Sequence, residues 1–323
     1  MSCLTDLPDE CNAHILSLTS VSDVLRSSAV SKQLLSVCES DTVWEKLLPS
    51  DLDDILVQSS TPNLVQQFIL KKNLFLHLCR FPVLLKTDTQ AILYENIQTP
   101  TLQIYHMGNL SFTNHLVVVL MDFSSLIISS FSLNKQSGKK CYMIGARDLT
   151  IAWGDTPQYW SWKVVPESRF PETAVLQDVC WLDISGKFHV KFLSPNTTYG
   201  AYFVFKMDVN NHRGFDNTPM NVFISETDEH GLSRQCDIVV FKRFYLKAPT
   251  VRRRSRKPKE LPTEREDGWM EVEMGRYHHI GVDEGAHEGM AVLMTLRQID
   301  ELHWKSGLVV QGIELRPLDG LMQ

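Results

Sequence analysis

The chain has 323 residues, 43% of them hydrophobic and 22% charged, which is typical of globular proteins and long enough for two domains. Its net charge of −6 argues against a general attraction to nucleic acid, and its longest apolar run is too short for a membrane span. The N-terminus has acids where a secretory signal needs a basic and then an apolar run. Seven scattered cysteines without a Cys-x-x-Cys pair indicate free thiols in a reducing compartment. We therefore expect a protein of the cytoplasm or the nucleus, without nucleic acid as a partner.

The first 48 residues carry signals for short helices. Pro8 suits the first turn of a helix, where its missing N–H costs nothing. Ser20 begins a second helix, and Thr42 with Glu45 has the spacing of a capping box at the start of a third. Helices of this length are not stable alone, so we expect them to pack on one another or on a partner.

The same stretch contains an ordered set of motifs. It reads Leu7-Pro8-Asp9-Glu10, then His14-Ile-Leu, then Arg26-Ser-Ser-Ala-Val-Ser-Lys, and finally Trp44-Glu. Over residues 1–48 the chain resembles an F-box, which implies binding to the Skp adaptor and, through it, to the cullin core of an SCF-type ubiquitin ligase. The residues that match the apolar pattern of the family, and that the resemblance assigns to adaptor binding, are Leu7, Pro8, Ile15, Leu16, Val30 and Trp44. The alternative is a small helical bundle without a partner.

The next two segments differ in regularity. Residues 49–86 are interpreted as a helical linker, with Asn63 as a candidate helix cap. Residues 87–129 have neither the period of a strand nor that of a helix, while an ordered pattern resumes at Ser130. We interpret 87–129 as an insertion; the alternative is a genuine extra hairpin.

From residue 130 to residue 323 the pattern changes to strands and turns. Three runs alternate like half-buried strands, namely 188–192, 199–205 and 270–274. Residues 185–187, Ser-Gly-Lys, predict a hairpin turn. Many short strands with turns between them predict a β-sandwich or jelly roll. The whole chain is thus expected to be an α+β multidomain protein, with an F-box helical bundle followed by a jelly-roll-like β-sandwich.

Three of the seven tryptophans lie within residues 151–162, IAWGDTPQYWSW. Turn residues interrupt these aromatics, which a core strand does not need. A surface that stacks flat apolar faces on a ligand could use such an arrangement. Large aromatics are more often buried, so this stretch taken alone favours an ordinary core.

A basic run follows residue 250. Its cations are Arg252, Arg253, Arg254, Arg256 and Lys257, together with Lys259. Such a run is either a solvated loop or a nuclear-import signal whose charges bind an acidic groove. A nucleic-acid patch is disfavoured on an otherwise acidic chain.

The sequence carries no catalytic motif that we recognise. It has no phosphate loop, no G-x-S-x-G and no His-Glu-x-x-His. His278 and His279 could form a metal cluster with Asp283 and Glu284, but no thiol or third histidine lies at ligand spacing, which favours an exposed loop. We therefore predict a chain that is not an enzyme and that binds no metal or cofactor.

Six further motifs follow one another between residues 141 and 317. They are ARDLTIAWGD from residue 146, PQYWSW from 157, VCWLDISGK from 179, YGAYFVFK from 199, DGWMEV from 267 and HWKSGLVVQGIELRP from 303. In this order they resemble the phloem protein 2 family, the Nictaba-related plant lectins. The resemblance implies binding of N-acetylglucosamine oligomers and N-glycan cores. It assigns ligand contact to Trp153 and Trp160, while Trp162, Trp181 and Trp304 are expected in the core.

The chain departs from this family at two positions. The resemblance implies two binding glutamates before the final Trp-Lys-Ser-Gly motif. Counting back from Trp304 without gaps, these positions are Ala291 and Gln298, and a shift could bring in Glu288 but not both. Gln298 can still accept a hydrogen bond, without the strength of a carboxylate. We predict sugar binding that is weakened, altered or lost.

Three functions remain open at this point. The first is a substrate receptor, in which the F-box docks on the ligase and the lectin-like domain selects a glycoprotein or oligosaccharide client. The second is a free cytoplasmic or nuclear lectin with a vestigial F-box. The third is an adaptor whose sandwich binds a peptide degron and no glycan.

Overall fold

The computed structural model describes residues 7–61, 63–86, 127–208, 211–216, 218–227, 238–247, 261–281, 290–300 and 302–318. The side chains of 127–128 and 238–239 lie outside this description. Within these ranges no helix is long and apolar enough to cross a lipid bilayer.

Helices make up the first part of the described chain. Their bounds are α1 Asp9–Ser17, α2 Val21–Ser27, α3 Lys32–Glu39, α4 Asp41–Leu47, α5 Leu52–Val57 and α6 Lys71–Arg80. Ser20 caps α2 as expected, because its side chain accepts a hydrogen bond from the backbone N–H of Asp23. The expectation for Thr42 was wrong, since α4 begins at Asp41 and Ser40 occupies its N-cap position. The sequence reading also missed α3, which Ser31 caps by accepting from the N–H of Leu34.

The linker is helical but is not capped where the sequence suggested. Asn63 has φ +54 and precedes a short 3-10 turn at Val65–Gln67, so it caps no α-helix. The second linker helix, α6, begins only at Lys71, whose N–H donates to a carboxylate oxygen of Asp41. Asp41 therefore ties the start of α6 to the start of α4.

Strands make up the rest of the described chain. Their bounds are β1 Val83–Lys86, β2 Ile127–Leu133, β3 Lys140–Gly145, β4 Thr150–Ile151, β5 Trp160–Lys163, β6 Thr173–Leu176, β7 Leu182–His189, β8 Thr197–Met207, β9 Met220–Thr227, β10 Ile238–Phe244, β11 Thr263–Glu264, β12 Met270–His279, β13 Ala291–Gln298 and β14 Leu308–Pro317. All pairings are antiparallel. One sheet has nine strands in the order β1-β2-β3-β14-β8-β12-β11, with β6 also paired to β14 and β5 paired to β6. The other has five, in the order β10-β9-β13-β7-β4. Buried residues from both sheets form one core, which confirms the predicted β-sandwich.

The predicted strands at 199–205 and 270–274 are confirmed as parts of β8 and β12, but two nearby expectations were wrong. Residues 185–187 are not a turn, because they lie inside the continuous strand β7. Only glycine fits at position 186, because a Cβ atom on this residue would lie 2.9 Å from a side-chain atom of Leu149 and 3.2 Å from one of Ile313. Residues 190–192 form a 3-10 turn in place of the expected end of a strand.

The boundary of the presumed insertion also changes. β1, which we had assigned to the linker, pairs with β2 as the edge of the nine-stranded sheet, with Lys86 opposite Ile127. Residues 127–129, which we had interpreted as part of the insertion, therefore lie in a strand of the nine-stranded sheet. Residues 87–126 lie outside the described part of the chain. The two chain ends that flank this segment are held side by side by the hairpin pairing of β1 and β2.

The F-box helices and the sandwich share one hydrophobic core. Gly138, in the turn between β2 and β3, has φ +71, and a Cβ atom there would lie 3.0 Å from the carbonyl oxygen of Leu47. Lys140 at the start of β3 is buried and forms a 2.8 Å ion pair with Asp51 beside α5. The hairpin of the sandwich is thus packed directly into the helical part, which restricts rotation of one relative to the other.

A second, smaller core seals the outer face of the nine-stranded sheet. It contains Met143, Phe170, Val204 and Trp269. Next to it lies the buried carboxylate of Glu314, which receives charged contacts from three arginines, Arg169 at 3.1 Å, Arg265 at 2.7 Å and Arg316 at 3.3 Å. Burial alone would raise the pKa of Glu314, but these cations together lower it below the ordinary glutamate value.

Glu314→Gln is expected to destabilise the protein by about 1.5 to 3 kcal/mol near pH 7, because glutamine keeps the shape but loses the charge facing the arginines. A carboxyl whose pKa is lowered on folding stabilises the fold above its unfolded pKa and loses that contribution as the pH falls through the folded value. Urea unfolding of both proteins should therefore show a gap that narrows from about pH 7 to about pH 3. Glu172→Gln, which removes a partly exposed partner of Arg147, is the control and should cost less than about 1 kcal/mol. A gap for Glu314→Gln that does not vary with pH would contradict the charge argument.

Candidate functional site

Three exposed tryptophans lie at the same end of the five-stranded sheet, which we call the tryptophan end. Trp153 is 48% exposed, Trp181 is 40% exposed and Trp304 is 51% exposed. Trp153 lies two residues after the end of β4, Trp181 precedes the first residue of β7, and Trp304 lies in the loop after β13. Because β7 is antiparallel to both β4 and β13, these three positions fall at one edge of the sandwich.

Backbone hydrogen bonds join the loops that carry these rings. The N–H of Gln177 donates to the carbonyl of Tyr159 at 2.8 Å, and Val179 and Lys305 exchange two bonds at 2.9 Å and 2.7 Å. Lys305 is fully buried, and its ammonium donates to the carbonyl oxygens of Cys180 at 3.2 Å and His303 at 2.7 Å. A buried ammonium with carbonyl partners fixes the loops before and after it, so the tryptophans are held on a rigid support.

Trp153 has the geometry of a stacking platform. Its φ is +56, an uncommon conformation for a bulky residue and one that is often found at functional sites. Its ring packs on Tyr159 with centroids 5.5 Å apart and planes tilted by 46°. The turn 152–156, closed by hydrogen bonds from Gly154 to Ile151 and from Thr156 to Trp153, maintains this conformation. The exposed indole can therefore accept the C–H face of a ligand without rearrangement.

Polar groups accompany the rings. Asp155 is exposed two residues after Trp153. Asp178 pairs through Oδ2 with Arg213, while its Oδ1 is buried and has no partner among the described residues. Asp300, just after β13, accepts a 2.8 Å hydrogen bond from Asn221. Carboxylates beside exposed indoles can hold hydroxyl groups while the rings support an apolar face.

The structure separates the residues that were predicted to form the site. Trp160 is only 2% exposed, packs in the core as the first residue of β5, and donates from Nε1 to the carbonyl of Ala152 at 3.2 Å. It cannot stack on a ligand in this structure, so only Trp153 keeps that role. Gln298 is 3% exposed, and its Oε1 has no hydrogen-bond partner in the part of the chain that the structure describes.

The two positions reached by counting back without gaps are both buried in β13. Ala291 lies between β7 and β9, opposite His189 and Thr227, and Gln298 lies opposite Leu182 in the core. A carboxylate at either position would be buried, which disfavours its charged form. The count therefore does not identify surface ligands, whereas Asp155, Asp178 and Asp300 are carboxylates that the structure places at the tryptophan end.

The expectation that Trp181 and Trp304 are core residues was wrong, because both rings are exposed. A signal for Trp181 was present in the sequence. Leu182 faces the core, and alternation along β7 places its neighbour outward. Trp162 is half-buried under the guanidinium of Arg147, whose central carbon lies 3.7 Å from the ring centroid. That stacked cation covers one face of Trp162 and leaves it a structural role.

The F-box residues divide into an outer and an inner group. Pro8, Ile15 and Val30 are exposed and Leu7 is half-buried, so they can reach a partner. Leu16 and Trp44 are buried in the helical core, and their assignment to direct adaptor contact does not agree with the structure. Two exposed apolar residues that the motif did not indicate, Leu18 on the loop after α1 and Leu35 on α3, extend the outer group. We call Pro8, Ile15, Leu18, Val30 and Leu35 the apolar F-box surface.

Two remaining predictions fall wholly or partly outside the described residues. The basic run at Arg252, Arg253, Arg254, Arg256 and Lys257 lies there entirely. Of the metal cluster that could be drawn, Asp283 and Glu284 lie there, while His278 is exposed and contacts Thr198 at 2.9 Å. Among the described residues, no group of three His, Cys, Asp or Glu side chains is arranged to hold a metal ion.

Comparison with known proteins agrees with this division into helices and sandwich. The Phloem protein 2 family model matches residues 139–317, and the F-box-like model matches residues 4–50. F-box protein PP2-B10 of Arabidopsis thaliana is 33% identical over 310 residues, covering 96% of this chain and 92% of the relative. F-box protein PP2-B15 of the same plant is 30% identical over 322 residues, covering 96% of each chain.

Solved structures give only a slight likeness. A family 35 carbohydrate binding module from Clostridium thermocellum covers 54% of this chain and 96% of its own, with 11% identity and a TM-score of 0.29, which is too low to support an argument. The chain belongs to the phloem protein 2 family, and it combines the lectin-like domain of that family with an N-terminal F-box.

Proposed function

We propose that this chain is the client-recognition subunit of an SCF-type ubiquitin ligase. Its F-box binds the Skp adaptor and thereby the cullin core, and the tryptophan end selects a client by binding an N-glycan or an N-acetylglucosamine oligomer. The transfer of ubiquitin belongs to other subunits, so the chain itself performs no catalysis. The basic run at 252–257 is proposed as a nuclear-import signal, which places the subunit in the cytoplasm, the nucleus or both.

The observation that carries this proposal is the presence of two unlike exposed surfaces on one shared core. The apolar F-box surface offers aliphatic side chains and a proline, which suit a protein partner that buries them. The tryptophan end offers aromatic faces and carboxylates, which suit a ligand with both C–H faces and hydroxyl groups. The ion pair between Lys140 and Asp51 and the packing of Gly138 hold the two surfaces in a fixed relation.

The adaptor half of the proposal is tested by Val30→Asp. Val30 is 71% exposed between α2 and α3, so the change should leave folding intact. A carboxylate there would be buried without a partner in the adaptor interface, and we expect adaptor binding to fall by about tenfold or more. Affinity is measured by surface plasmon resonance with purified Skp adaptor and the full chain.

The matched control is Val57→Asp, which adds the same charge at an 84% exposed valine of the linker and should bind like the wild type. Equal binding by Val30→Asp and the wild type would contradict an F-box contact through this surface. Absence of adaptor binding by the wild type would instead favour a free lectin. The glycan-binding half of the proposal is tested by a glycan array with the full chain. Absence of binding to any sugar would favour a receptor that recognises a protein degron.

A further inference from the structure

The outer face of the five-stranded sheet carries a pair of phenyl rings, of which one is exposed and one is half-buried. Phe223 on β9 and Phe241 on β10 are directly opposite in the register, with ring centroids 5.2 Å apart and planes tilted by 41°. Phe241 is 57% exposed. Two rings on the solvent side of a sheet do not contribute to the core between the sheets, so their position calls for a different explanation.

A row of paired polar side chains crosses the same face next to these rings. Arg243 donates from Nε to Oδ1 of Asn221 at 2.7 Å, and Arg297 donates to Asp183 at 2.9 Å and 2.8 Å. Asn221 in turn donates to Asp300. The row carries two positive charges, Arg243 and Arg297, and two negative charges, Asp183 and Asp300, so it has no net charge. The hydrogen bonds among these side chains hold their planar groups in place. Such a row suits a neutral polar ligand better than an ion.

Small hydroxyl side chains fill the space between the phenyl pair and β4. The register places Phe241, Phe223, Thr295, Ser185 and Thr150 in one row across all five strands. Along this row Phe241 and Thr150 are exposed, Phe223 and Ser185 are half-buried, and Thr295 is buried. The outer face of the nine-stranded sheet instead carries the second core around Phe170.

We propose that this face extends the tryptophan end and binds the further units of an oligosaccharide whose first units stack on Trp153. This inference rests on the proposed glycan-binding function and specifies its ligand class as an extended chain. Four strand spacings of about 4.8 Å separate β10 from β4, so Phe241 lies about 20 Å from Thr150, and Trp153 follows three residues after Thr150. A disaccharide is too short to reach both Phe241 and Trp153, and a hexasaccharide is long enough.

The composition of the face favours this occupant over a second copy of the chain. A stable protein interface needs a contiguous apolar centre with few charges. Here the apolar part consists of two rings, and it is bordered directly by Arg243 and by the Arg297–Asp183 ion pair. Aromatic rings next to fixed planar hydrogen-bonding groups instead match a ligand with alternating C–H faces and hydroxyl groups.

The test compares the N-acetylglucosamine disaccharide and hexasaccharide by isothermal titration calorimetry on the full chain. We expect Phe241→Ala to lower hexasaccharide affinity by about 3- to 10-fold and to leave the disaccharide unchanged, because one stacking contact is lost. Phe241→Trp keeps an aromatic face and should retain hexasaccharide affinity. Phe81→Ala removes a similarly exposed phenyl, 59% exposed, from the linker and should bind both sugars like the wild type.

Each other outcome counts against the inference in a distinct way. If the wild type binds both sugars with equal affinity, or if Phe241→Ala binds the hexasaccharide like the wild type, the extended face is refuted while glycan binding at the tryptophan end stands. If the wild type binds neither sugar, the proposed glycan function and the extension fall together. If Phe241→Ala converts a dimer to a monomer in light scattering, the face is a self-association surface and the inference is overturned.

Discussion

Trp44→Ala is expected to unfold the helical part of the chain and to abolish adaptor binding, although Trp44 is not exposed to any partner. Its side chain is fully buried, packs on Phe75 with ring centroids 5.1 Å apart, and donates from Nε1 to the carbonyl of Cys38 at 2.7 Å. Removing a buried tryptophan leaves a cavity and an unsatisfied carbonyl, at a cost of about 3 to 5 kcal/mol. Urea unfolding followed by circular dichroism measures that loss, and surface plasmon resonance with the Skp adaptor measures the consequence.

Comparison with Val30→Asp distinguishes adaptor binding that is lost through unfolding from adaptor binding that is lost through a changed contact surface. Trp44→Ala should lose stability and binding together, whereas Val30→Asp should lose binding alone. Trp44→Phe fills most of the same volume and should recover part of both properties. If Trp44→Ala kept its wild-type stability and still lost the adaptor, Trp44 would be a contact residue, and its buried position would not describe the bound state.

The F-box was predictable from its motif, but the role of each motif residue was not. Ile15 and Leu16 are adjacent in the sequence and lie about 100° apart around α1, so one faces solvent and the other the core. Without the positions of the neighbouring helices, both read as members of a single apolar set. Trp44 illustrates the same limit, since α6 supplies Phe75 against which it packs.

The sandwich was predictable where a strand alternates cleanly and was misread where tertiary contacts decide. β12 alternates because one of its faces is buried, and the sequence shows this. Gly186 has the appearance of a turn residue, yet it lies inside β7 because Leu149 and Ile313 occupy the space of its missing side chain. No local pattern reports contacts with residues as distant in the chain as Leu149 and Ile313.

In the candidate site, too, the sequence predicted the segment but not the burial of each residue. The stretch 151–162 was identified from composition, and Trp153 keeps its proposed role. Trp160 and Trp304 exchanged the roles expected of them, because burial depends on which loop meets which strand end. The Val179–Lys305 bridge brings the 304 loop to the tryptophan end, and the pairing of two segments far apart in the chain is not readable from either segment alone.

Trp160→Ala and Trp153→Ala are expected to separate a core tryptophan from a ligand-binding one. Trp160→Ala should destabilise the sandwich by about 3 to 5 kcal/mol, because the ring is buried in the core and its Nε1 donates to the carbonyl of Ala152. Trp153→Ala should cost only about 0.5 to 1.5 kcal/mol, because the ring is half exposed and its aromatic contact is the one with Tyr159. Urea unfolding of the full chain measures both values.

Glycan binding distinguishes the two variants more sharply than stability does. Trp153→Ala should remove array binding from a folded protein, because the stacking face is lost. Trp160→Ala should lose binding only to the extent that the protein unfolds, so a stabilising osmolyte that restores its fold should restore its binding. The osmolyte should not rescue Trp153→Ala. If Trp160→Ala instead remained fully folded and bound no glycan, the direct role first assigned to Trp160 would be correct and the loop 152–159 would have to open to expose it.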